Sequence, residues 1–124
     1  VSPLAWTAFV AAGAVGAPAR YLLDRSIAER ADGAFPWGTF MINLTGSFLL
    51  GLLTGLGLDH GFPKVPRVVL GAGFCGAYTT FSTFTFETVR LLEEGAVAEA
   101  CRNAAGTLLA GAMAAAAGLA VTAL

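Results

Sequence analysis

Charge is what this chain has least of. Only 12% of its 124 residues are Asp, Glu, Lys or Arg, about half the share usual in a soluble domain, while 56% are hydrophobic. The formal net charge of -1 leaves no basic surface to hold a nucleic acid. Histidine occurs once, at His60, in the turn Asp59-His60-Gly61, which reads as solvated. Cysteine occurs twice, at Cys75 and Cys101, with no zinc-ligand spacing. Both fall in apolar stretches and read as small buried hydrophobes, although a disulfide between them stays open. No Ser/His/Asp or Cys/His set converges and no phosphate-cradling loop is present, so the sequence offers no enzyme machinery. The first apolar stretch lacks a basic lead-in and a small-residue cleavage site, which argues against a cleaved signal.

What the chain has instead is length enough for the bilayer, repeated. A helix needs about 20 mostly apolar residues to cross the hydrocarbon core. Four stretches qualify, at about 4–23, 37–58, 67–92 and 100–123. The mean hydropathy of +0.74 agrees with an all-α membrane protein of four transmembrane helices in one domain, residues 1–124. Ser2-Pro3 suits a helix start, Pro18 falls late in the first span, and Trp37 stands where an interfacial aromatic belongs. Connections near 24–36, 59–66 and 93–99 leave no room for a soluble domain.

The third span is the irregular one. Gly71, Gly73 and Gly76 lead into the β-branched pair Thr79-Thr80, a poor composition for unbroken helix, and a break is expected mid-span. Carbonyls freed at membrane depth must be satisfied by protein, water or an ion. Small residues at Gly46, Gly51 and Gly55, and at Gly106, Gly111 and Ala115, suit close helix crossing. So little bulk per helix also points to an oligomer, of which a dimer is the simplest closed form.

Positive charge divides unevenly. Arg20, Arg25, Arg30, Arg90 and Arg102 lie toward one side and Lys64 and Arg67 toward the other. Counting only residues clearly outside the spans, Arg25 and Arg30 balance Lys64 and Arg67, as expected of a protein that inserts both ways.

Polar side chains inside the spans are the candidates for function. Thr39, Asn43 and Ser47 recur every four residues and share a helix face. A carboxamide can donate to an anion or bond a neighbouring helix. Phe81 and Phe84 are helical neighbours whose ring edges carry partial positive charge, although such pairs are more often core. Glu87 closes the polar run and reads either as a functional carboxylate or as the ion-pair partner of Arg90.

Three motifs in order carry a resemblance across nearly the whole chain. Gly16-Ala17-Pro18-Ala19-Arg20-Tyr21, Gly38-Thr39-Phe40-Met41-Ile42-Asn43-Leu44-Thr45-Gly46-Ser47-Phe48, and Thr79-Thr80-Phe81-Ser82-Thr83-Phe84 followed by Glu87 resemble the hallmarks of the Fluc (CrcB) fluoride channels. The resemblance implies passive export of fluoride across a prokaryotic plasma membrane by an antiparallel, dual-topology dimer with two pores. A homodimer is the expected form, a heterodimer with an oppositely oriented relative its variant. It also implies a central Na+ held by the backbone carbonyls of Gly76 and Thr79. The pore set it assigns is Asn43, Phe81, Phe84, Ser82, Thr83, Asn103 and Thr107, with Arg20 and Glu87 as further candidates. The family often has tyrosine where this chain has Asn103, and glycine where it has Ala77. Without the resemblance, a small proton-coupled multidrug transporter or a structural membrane subunit would remain open.

Overall fold

A computed structural model describes residues 1–124, and it is helical throughout, without strands. Helix α1 spans Pro3–Arg30. Ser2 caps it, its hydroxyl accepting from the Ala5 N–H at 3.1 Å, with proline in the first turn where no amide partner is needed. Sequence alone ends this segment near Leu23; the helix runs about two turns further. The extension is polar but internally bonded. Arg25 pairs with Glu29 at 3.1 Å and reaches the Tyr21 hydroxyl at 3.3 Å, and Arg30 donates to the Ser26 carbonyl at 2.8 Å.

Helix α2 spans Trp37–Asp59 and the last helix, α5, spans Val97–Thr122. Both are long and apolar enough to cross a membrane. They cross closely, because glycine lets backbone meet backbone. A Cβ on Gly118 would lie 2.6 Å from the Leu52 nitrogen, and one on Gly51 2.9 Å from the Ala115 carbonyl carbon. The C-terminal ends are tied by polar bonds. The Thr122 carbonyl accepts from His60 Nε2 at 2.7 Å, and the Thr122 hydroxyl lies 3.1 Å from Asp59 Oδ2. His60 is therefore exposed yet anchored, where sequence alone left it free.

Between α2 and α5 the chain runs in two pieces. The first, α3 (residues 64–78), opens as an α-helix over Lys64–Val68, widens into a π-helix over Val69–Cys75 and closes with one turn, Gly76–Tyr78. Thr79 is extended, at φ -81° and ψ 161°, and α4 resumes over Ser82–Glu93. Helix α1 lies against α3, and a Cβ on Gly16 would come within 2.6 Å of the Phe74 carbonyl oxygen.

Only 18 of the 124 residues are buried. Leu4, Val10, Val15, Phe86, Leu109 and Met113 face outward, an exterior suited to lipid or a second subunit rather than to water. Both cysteines are unpaired, Cys75 buried and Cys101 exposed, so the two do not form a disulfide.

Candidate functional site

The site grows out of the interruption between α3 and α4. An α-helix continuing through it would have the Thr80 amide bond the Gly76 carbonyl. Instead Asn43, from α2, takes hold of Thr80: Asn43 Nδ2 donates to the Thr80 carbonyl and the Thr80 N–H donates to Asn43 Oδ1, each at 2.9 Å. One carboxamide thus replaces two ladder bonds, since it carries an N–H donor and a carbonyl acceptor side by side. Downstream, Thr80 caps α4. Its hydroxyl oxygen accepts from the Thr83 N–H at 3.2 Å and lies 3.0 Å from the Thr83 hydroxyl. The amides that would ordinarily bond the carbonyls of Gly76 and Thr79 are therefore engaged elsewhere.

An open groove of about 410 Å³ lies beside this interruption. Asn43, Gly76, Thr79, Phe81, Phe84 and Thr107 all line it. The rings of Phe81 and Phe84 are 5.8 Å apart and tilted by 44°. Phe84 is buried, whereas Phe81 is 74% exposed and forms the groove's outer edge. Gly46 allows the approach of α2, since a Cβ there would lie 3.3 Å from Tyr78 Cδ2.

A smaller cavity of about 130 Å³ lies on the other side of Thr80, lined by Arg20, Asp24, Thr39, Thr80 and Thr83 among others. Arg20 Nε is buried there with no hydrogen-bond partner. Asp24 sits beside the first turn of α2, where the helix dipole favours an anion, and a Cβ on Gly38 would come within 3.1 Å of its carboxyl carbon. Thr80 lines both spaces and so is the boundary between them.

The remaining candidates fall elsewhere. Ser82 is exposed, its hydroxyl 3.4 Å from that of Thr80, and lines neither space. Glu87 does not pair with Arg90, which reaches Glu94 at 3.6 Å. It accepts instead from the Thr39 hydroxyl at 2.5 Å. Asn103 is fully buried behind the groove, and its Nδ2 donates to the Thr88 hydroxyl at 2.8 Å.

Three contributors escape a reading by sequence alone: Thr80 as clamp partner and cap, Thr88 as the partner of Asn103, and Asp24 beside Arg20. The spacing of Thr80 and Thr83 does carry a capping signal. Arg20 and Asp24 are four apart on α1, so helical spacing makes them neighbours, whereas the Thr88–Asn103 bond depends on which helices cross.

Comparison with known proteins agrees with the motifs. Residues 7–119 match the family described as CrcB-like protein, Camphor Resistance (CrcB). The chain belongs to the CrcB family. It is 48% identical over 114 residues to the fluoride-specific ion channel FluC 1 of Streptomyces avermitilis, covering 92% of each chain. With FluC 1 of Symbiobacterium thermophilum it shares 49% over 121 residues, 95% of this chain and 97% of the relative. FluC 2 of Moorella thermoacetica is 45% identical over 109 residues, 87% of this chain and 88% of that one.

Proposed function

We propose that this CrcB-family chain is a fluoride-specific ion channel, not an enzyme, through which F- leaves the cytoplasm passively. The observation that carries the reading is near-end-to-end similarity to relatives named fluoride-specific ion channels. The groove suits that chemistry. Fluoride holds its water tightly, so a pore must offer substitute donors without a fixed cation that would trap the ion. Asn43 keeps one N–H uncommitted after its two bonds to Thr80. Phe81 and Phe84 can turn positive ring edges toward an anion, and the Thr107 hydroxyl lines the same groove, while Thr83 lines the smaller cavity across Thr80 and Ser82 lines neither. Arg20 and Glu87 stand at the far side of the interruption, Glu87 held by Thr39.

The working unit in this reading is an antiparallel dimer of four-span subunits in the cell membrane. Support comes from the open groove, the exposed Phe81 and the even division of loop charge. The interruption at Thr79 would then lie mid-membrane. The carbonyls of Gly76 and Thr79, left by their usual amides, fit a hard cation such as Na+. That ion would neutralise them and tie two subunits together. Exchanging Na+ for N-methylglucamine should lower the melting temperature of the detergent-solubilised protein; an unchanged melt speaks against the ion.

The deciding experiment is fluoride efflux from liposomes holding only this protein. Fluoride should leave without a proton gradient, chloride should stay, and Phe81→Ile and Phe84→Ile should each cut the flux at least tenfold. A requirement for a proton gradient and an organic cation would instead favour a multidrug transporter, and no transport at all a structural subunit. Flux from this one chain also separates a homodimer from a heterodimer that needs a second relative.

A further inference from the structure

We propose that Asn103 does not meet fluoride but sets which way Thr107 turns its hydroxyl proton, and so how tightly the groove holds an anion. The proposal rests on the groove being the fluoride path. Thr107 lines the groove, while Asn103, one helical turn earlier, is fully buried behind it. The two belong to a single run of hydrogen bonds. The Thr107 hydroxyl donates to Asn103 Oδ1 at 3.2 Å, Asn103 Nδ2 donates to the Thr88 hydroxyl oxygen at 2.8 Å, and the Thr88 hydroxyl donates to the Phe84 carbonyl at 2.8 Å.

The inner end fixes the direction of the whole run. A carbonyl can only accept, so the single proton of Thr88 is committed to Phe84. The Thr88 oxygen must then accept, which turns the amide nitrogen of Asn103 toward it. The amide oxygen is left facing Thr107 and draws that hydroxyl's only proton inward. What Thr107 shows the groove is therefore lone pairs, which repel an anion.

An arriving fluoride must win the proton back. The bond it has to open is the longest of the three, at 3.2 Å against about 2.7–2.8 Å for an ordinary O–H···O contact. The inner bonds stay in place because an unpaired buried amide is expensive. Asn103 thus imposes a fixed, modest cost on binding at Thr107. Conduction benefits, since a pore ion must be held weakly enough to leave. Asn103 and Thr88 are positioning residues in this scheme, acting through Thr107.

The test is liposome flux measured across fluoride concentrations. Asn103→Leu frees the Thr107 proton for the groove. Half-saturating fluoride should fall by about three- to tenfold, the worth of one hydrogen bond, and maximal flux should fall with it. Thr107→Val should raise half-saturating fluoride. Adding Asn103→Leu to Thr107→Val should then shift it by less than about twofold, because the two act as one unit. Thr88→Val releases the amide and should give a smaller shift in the direction of Asn103→Leu, which keeps the test available if the leucine variant does not fold. Additive effects, or Asn103→Leu and Thr88→Val lowering maximal flux with half-saturation unmoved, would overturn the proposal. A wild-type protein that passes no fluoride refutes the channel reading itself, whereas a conducting wild type with additive variants refutes only this role of Asn103.

Discussion

Asn43 has two jobs that a single substitution would confound. It holds the Thr80 backbone from both sides, and it leaves one N–H free at the groove. Asn43→Leu strips partners from the N–H and the carbonyl of Thr80, at about 1–3 kcal/mol for each part-buried group. Asn43→Asp keeps an acceptor for the N–H but sets a carboxylate against the carbonyl. Both variants should lose fluoride flux in liposomes and melt at a lower temperature. A variant that loses flux with an unaltered melt would show that the clamp carries no stability. Composition singled out Asn43 as a candidate, because an amide in an apolar span needs a partner, whereas Asn103 and Thr107 were named only through the family resemblance. What each one does was not legible. The bond from Thr39 to Glu87 joins residues 48 apart in sequence, and local spacing suggested Arg90 as the partner instead.

Among the elements, the crossing of α2 and α5 is where the fold is least forgiving. Gly118 faces backbone from α2, so a side chain there has no flexible neighbour to displace. Gly118→Val should cost at least about 1–3 kcal/mol, the range for overpacking, seen as a lower melting temperature or loss of a monodisperse species in detergent. Gly106→Ala is the control, since a Cβ there meets nothing within 4 Å. Spacing alone named Gly51, Gly55 and Ala115 for this kind of contact, because small residues three or four apart share a face. It also named Gly106, which stands in open space. The difference is set by crossing angle and register, which no periodicity records. The same limit hid the anchoring of His60 to Thr122, whose positions depend on where two helices happen to end. The extent of α1 was missed for another reason. Apolarity marks how far a bilayer reaches, whereas Arg25, Glu29 and Ser26 sustain helix by bonding one another beyond it.

At the scale of the whole molecule, few residues are buried, which leaves a large apolar exterior for lipid or a second copy. In the proposed antiparallel dimer a second copy closes the groove, and that copy must enter the membrane upside down. Loop charge decides the direction of insertion, and here Arg25 and Arg30 are set against Lys64 and Arg67. Arg25→Gln with Arg30→Gln removes two positive charges from one side. The only ion pair it breaks is exposed, and such pairs contribute about 0–1 kcal/mol. The altered chain should still fold but insert predominantly in one orientation, as read by reporters fused to its C-terminal end. Fluoride flux from membranes containing only that chain should collapse. Co-expression with a copy carrying Lys64→Gln, biased the opposite way, should restore it. If the one-way chain conducts as well as the parent, opposed insertion is no part of the mechanism, and the groove must be completed by a parallel neighbour or be sufficient alone.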